Sequence, residues 1–239
     1  MLTWRLFLGT VLRLCWLSGR IALHRKVGFM LAGVVLLYSA LYLLAVLRPG
    51  EGFGVEQALF VLVELPGAVL AVYLTMDLVT AERDRDTLET LFTTATSHYG
   101  IWGIRLIAIV AALASMLLVM STAAYVLFAE FPFVRGAFNG LVPAVFMVGL
   151  TLLASVTTRS SNIAAMLSAA LIIAVLLAAD VLRHSPYYLF LNPFVVPLES
   201  DVGTWMQTIT LNRLGLVTAA LIMAGLALRQ MENRERLLS

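Results

Sequence analysis

The stretch Thr80–Ser97, TAERDRDTLETLFTTATS, interrupts a chain that is otherwise almost uniformly apolar. Six charged side chains fall between Glu82 and Glu89, and on either side lie runs long enough to cross a bilayer. Those runs set the fold, because they name the solvent. Of 239 residues, 61% are hydrophobic and 13% charged, and the mean hydropathy is +0.95. A soluble domain carries about 25% charged residues, so the composition places this chain in lipid.

A helix needs roughly 20 apolar residues to cross the hydrocarbon core. Six windows qualify: 27–47, 57–79, 106–128, 139–157, 163–182 and 211–229, with Arg213 near the start of the last. None shows the two-residue alternation of a barrel strand. The expected fold is therefore an all-α polytopic membrane protein forming one domain over residues 1–239.

Residues 1–26 precede the first window and hold too many arginines to cross. At about 100° per residue, Arg5, Arg13, Arg20 and His24 share one arc of a helix, away from Trp4, Phe7 and Leu14. That pattern predicts a helix lying in the membrane interface, arginines toward anionic headgroups.

The cations set the orientation. Twelve Lys and Arg fall on the side of the N-terminus: five before the first span, Arg83, Arg85 and Arg105 between spans two and three, Arg159, and three after span six. Arg48, Arg135, Arg183 and Arg213 fall on the other side. The positive-inside rule then predicts a multi-pass protein of the cell's inner (plasma) membrane, both termini cytoplasmic.

Several function classes find no support. Lys26 is the single lysine and sits in LHRKVG, so the phosphate-binding pattern G-x-x-x-x-G-K-[ST] is absent. Cys15 is the single cysteine, and His24, His98 and His184 lie far apart in the sequence. No metal pattern and no cofactor of the chain's own is read. An intramembrane serine protease needs a G-x-S-G-like serine, and a headgroup transferase needs D-x-x-x-D aspartates; neither is present. The chain is not expected to be an enzyme, nor to bind nucleic acid.

On this topology Thr80–Ser97 is cytoplasmic. As a helix it puts Glu82, Arg85, Asp86 and Glu89 on one face and Leu88, Leu91, Phe92 and Ala95 on the opposite one. Three readings compete: a solvated, salt-bridged loop, a pair of catalytic carboxylates, and an amphipathic docking helix. The catalytic reading lacks a neighbouring nucleophile or metal ligand.

The segment ERDRDTLETLFTTATSHYGIWGIRL resembles the cytoplasmic segment after the second span of ABC-2-type transporter permeases, the transmembrane subunits of type V exporters. These typically read E-R-x-x-G-T-L-E-x-L-x-x-x-P-x-S with a basic residue at the next span. Glu82, Arg83, Thr87, Leu88, Glu89, Leu91, Ser97 and Arg105 match in register, whereas Asp86 replaces the usual glycine and Ala95 the usual proline. LTLLASVTTRSSNIAAMLSAALI is similar to the family's junction of spans four and five, and LNPFVVPL to the element before its last span.

The resemblance implies one half of an exporter. Two permease copies, or two related permeases, would pair and sit on separate ATPase subunits that hold ATP and Mg. Residues 80–97 would be the coupling helix, with Glu82, Arg83, Arg85, Asp86, Thr87, Leu88, Glu89, Leu91 and Phe92 docking on the ATPase. The turn TRSSN, 158–162, is a second contact candidate.

Two more features bear on transport. Glu64, in VLVELPGAVL, is a charge deep in a span, and Pro66 beside it can kink the helix toward a translocation path. Otherwise the carboxylate snorkels outward or pairs with Arg48. The segment 183–212 is outside by topology yet aromatic, so a re-entrant hairpin broken at Pro193 and Pro197 is expected to bury Tyr187, Tyr188, Phe190 and Phe194 as an outer gate. An interfacial aromatic belt is the simpler alternative. The apolar path suits lipid-like, amphiphilic or peptide cargo. A secondary transporter or channel subunit, or a membrane anchor of an ABC-type assembly that moves no substrate, remain the competing readings.

Overall fold

The computed structural model describes residues 28–47, 54–78, 98–183, 185–194, 196–197 and 201–232. The interfacial segment 1–26 and the docking segment 80–97 lie outside the described residues. Within them the structure is all-helical. Five helices are long and apolar enough to cross a membrane: α1 Gly28–Leu47, α2 Val55–Thr75, α3 His98–Leu127, α4 Phe133–Thr158 and α7 Val202–Glu232. Their length and composition mark the chain as a membrane-embedded, polytopic helical protein.

The fifth expected window, 163–182, takes a different form. It contains α5 Ser161–Leu177, a turn at Ala178, and the one-turn α6 Ala179–Leu182. Seventeen residues of α5 rise about 26 Å, short of the ~30 Å hydrocarbon core. The last helix also departs from its window, beginning at Val202 rather than near 211. Asp201 starts it: its carboxylate accepts from Gly203 N–H at 3.0 Å and its carbonyl from Trp205 N–H at 2.9 Å. A hydropathy window misses this start, because Thr204, Gln207, Thr208 and Thr210 are polar although helical.

α4 is the centre of the bundle and touches α2, α3, α5 and α7. Small residues on its faces set how closely they approach. At Gly149 an added Cβ would lie 2.8 Å from the Ala220 carbonyl oxygen of α7, so the two backbones nearly touch. At Gly140 it would lie 3.0 Å from Val63 of α2. Hydroxyls complete the seams: Thr151 pairs with Ser168 of α5 at 2.8 Å, and Ser155 donates to the Met76 carbonyl at 3.1 Å. α4 ends at Thr158 with Arg159 in the left-handed region, φ 54°, and its N–H reaches Ser155 O. Ser160 then caps α5, accepting from Ile163 N–H. The expected turn at 158–162 is thus a tight helical hairpin.

Candidate functional site: a buried polar cluster beneath a cavity

α2 is not a regular helix. Between Val55–Leu59 and Leu65–Thr75 it passes through a π-helical turn, Phe60–Glu64, in which the Leu65 N–H bonds to Phe60 O. Pro66 follows at once and has no N–H to give back to the preceding turn. A carbonyl freed in this way needs another donor, and in lipid no water supplies one. The Tyr38 hydroxyl of α1 meets the Leu62 carbonyl at 2.8 Å and the Met120 carbonyl of α3 at 2.8 Å. One O–H proton is thereby offered to two acceptors, tying α1 to the irregular turn.

The π turn aims Glu64 into the bundle, where it is 1% exposed. Asn139 of α4 donates through Nδ2 to Glu64 Oε1, and Arg213 of α7 donates through Nη2 to Asn139 Oδ1. The Arg213 guanidinium also donates to the Leu191 carbonyl. The carboxylate and the guanidinium are joined through an amide and reach across three helices. Asn139 too sits where a helix is interrupted, because Pro143, four residues on, cannot bond its carbonyl. The close approach at Gly140 and Val63, each adjacent to a member of the cluster, is what lets so short a side chain as Asn139 span the gap.

Arg213 and its neighbour Asn212 also hold the segment before α7. Asn212 Nδ2 donates to Pro186 O at 2.7 Å and to Tyr188 O at 2.8 Å. An Asn192 turn, with Phe194 N–H donating to Asn192 Oδ1 at 2.8 Å, folds the segment back. The described residues between Ser185 and Pro197, the part of the expected re-entrant hairpin around Pro193, are turns and irregular chain without a helix. Asparagine and arginine side chains do the anchoring that helix packing was expected to do. Tyr188 and Phe190 are buried, Phe194 and Pro193 partly so, while Tyr187 is 84% exposed, against the expectation for it. Burial raises the Tyr188 hydroxyl above its usual pKa, with the Glu64 charge adding to the effect and Arg183 opposing it.

A cavity of about 340 Å³ lies at this end of the bundle. Glu64 forms part of its wall, with Phe60, Tyr188, Phe190, Trp205 and Asp180. Glu56 and Arg183, also in the lining, form an exposed ion pair at 3.1 Å. The Trp205 indole N–H is buried and has no acceptor among the described residues. Among the described residues no group of three His, Cys, Asp or Glu side chains is placed to hold a metal ion.

Of the residues singled out from sequence, Glu64, Tyr188 and Phe190 therefore come together in the cavity wall, Pro66 stands just past the π turn of α2, and Glu82 through Phe92 lie outside the described residues. Arg48, which the sequence offered as an alternative partner for Glu64, lies outside them as well. Asn139, Arg213 and Trp205 were not anticipated. A usable signal existed in FNGLVP, residues 138–143, where an amide, a glycine and a proline stand in an apolar run, the mark of a helix–helix contact.

The class these features define is a helical membrane protein with an ionic cluster buried beneath an open cavity. No family model, curated protein or solved structure matches the chain.

Proposed function

We propose that this chain is the permease subunit of an ATP-binding cassette exporter. Two such subunits pair, and separate ATPase subunits below them supply the energy. The observation that carries the reading is the register of Glu82, Arg83, Thr87, Leu88, Glu89, Leu91 and Ser97 between two apolar spans. It is the pattern the family uses to couple its spans to the ATPase. The chain crosses six times, with α5 and α6 together, Ser161 to Leu182, making the fifth crossing. Both termini and the 80–97 segment face the cytoplasm, and the cavity beside Glu64 faces outward. ATP-driven closure of the ATPase pair rocks the 80–97 segment, and the spans shift the cavity between closed and open forms. Lipid-like, amphiphilic or peptide cargo suits such a path.

Co-purification from detergent tests this. The intact chain brings down a nucleotide-hydrolysing subunit, and a Glu82→Lys, Glu89→Lys double variant loses it. Retention by both forms moves the docking face elsewhere. Absence of any ATPase under several mild conditions removes the exporter reading. A second reading then takes its place, favoured by the buried Glu64 beside an open cavity: a secondary transporter that couples cargo to a proton or cation at that carboxylate.

A further inference from the structure

The cavity at the end of α2 has a chemical bias of its own. Among the described residues three carboxylates, Glu56, Glu64 and Asp180, stand in its lining against one cation, Arg183. Arg183 is engaged with Glu56 at the exposed rim, and Arg213 faces Glu64 from behind the wall through Asn139, which leaves Asp180 without a cation among the described residues. Glu64 accepts from Asn139 through Oε1, and no described residue donates to its other oxygen. The rest of the wall carries four aromatic rings, Phe60, Tyr188, Phe190 and Trp205, beside the amides Gln57 and Asn192. The Phe60 and Phe190 rings stand edge to face at 5.4 Å between centroids, and Phe190 and Tyr188 at 6.2 Å. Carboxylates and aromatic faces both attract cations and repel anions. Trp205 is 4% exposed and lines the same space, and its indole N–H lacks an acceptor among the described residues. A buried donor without a partner costs free energy that a bound acceptor restores.

We propose that this cavity binds an organic cation, a protonated amine on an apolar or aromatic body, with Glu64 as counter-ion and the Trp205 N–H bonded to an acceptor on the ligand. The volume, about 340 Å³, falls in the range of small-molecule sites, roughly 300–1,000 Å³. The ammonium group sits against Glu64 and the apolar body against Phe60, Tyr188 and Phe190. An anionic ligand finds its charge opposed by Glu64 and Asp180, while Arg183 is paired with Glu56 at the rim and Arg213 lies behind the wall, bonded to Asn139 and the Leu191 carbonyl. As a statement about exported cargo this rests on the exporter reading. As a binding site it stands on the cavity alone.

The test uses the purified full chain in nanodiscs, without any ATPase, and three probes of one shape: 3-phenylpropylamine, 3-phenylpropanol and 3-phenylpropionate. Equilibrium dialysis at neutral pH is expected to give binding of the amine about tenfold or more tighter than the alcohol, and none of the carboxylate. Glu64→Gln is expected to erase the preference for amine over alcohol. Trp205→Phe, which keeps a ring in the wall, is expected to weaken an ether-bearing amine such as 2-phenoxyethylamine about threefold or more while sparing 3-phenylpropylamine. Equal binding of amine and alcohol by the unaltered chain overturns the proposal, as does the absence of amine binding. The probe comparison needs no variant, so a Glu64→Gln chain that fails to fold leaves the test intact. Because ATPase co-purification is read separately, failure here does not count against the exporter, nor does failure there count against the site.

Discussion

α1 and α2 are alike in length and apolarity and opposite in situation. Gly28–Leu47 has a mean hydropathy of 2.4 and only 11% of its apolar window is buried, whereas Val55–Thr75 has 2.0 and 61%. α4, Phe133–Thr158, repeats the second pattern, with 2.0 and 61%. Against α1 the less apolar α2 and α4 are the buried ones, yet α7, at 1.7 the least apolar of the five, is mostly exposed, so hydropathy does not set which helix goes inside. In lipid this is expected, because an exposed leucine costs nothing there and apolarity gives no inward force. What brings α2 and α4 inside is the small and polar residues they carry: Gly67, Gly140, Gly149, Asn139 and Glu64. α7 shows how local the effect is. It is 17% buried over its apolar window, and its contacts with α4 include Ala220 against Gly149 and Arg213 against Asn139.

The comparison is most strongly broken at the cluster. Arg213→Met removes the cation that faces Glu64 and is expected to cost about 3 kcal/mol, the lower end for breaking a buried ion pair. Reversible unfolding in mixed detergent measures it. A Glu64→Gln, Arg213→Met double variant should recover part of that loss, and a double variant as unstable as the sum of both singles would show that the two residues act independently.

Next comes the α4–α7 seam. Gly149→Leu drives a side chain into the Ala220 backbone and should cost about 1–3 kcal/mol by overpacking. The same experiment on Gly33 of α1, where an added Cβ meets nothing within 4 Å, should show almost no loss.

Asn212→Leu tests the anchoring of the segment before α7. Losing the bonds to Pro186 and Tyr188 should cost about 1–2 kcal/mol, and hydrogen exchange at Tyr188–Leu191 should accelerate well before α4 is affected. Simultaneous acceleration in both places would mean that the segment and the bundle open as one unit.

The smallest effect belongs to the outer face of α1. Leu36, 71% exposed, should tolerate Leu36→Ala with a change within about 0.5 kcal/mol. A larger loss would reveal a protein neighbour on that face in place of lipid, and sedimentation in detergent would show the oligomer.

The chain's order of residues alone established that lipid is the solvent, that the structure is helical and where most helices run, because transfer into lipid is a sum over consecutive residues. It also marked Glu64 and Pro66, since a carboxylate and a proline inside an apolar run have no local excuse. It misplaced the start of α7, where polar residues are helical, and did not anticipate that Arg213 meets Asn139. Tertiary structure alone decided which helices face inward and which groups meet. Glu64, Asn139 and Arg213 come from three helices, 75 and 74 residues apart along the chain. The cost of leaving any of them unpaired is paid only once the helices have assembled, and no window of sequence carries that term.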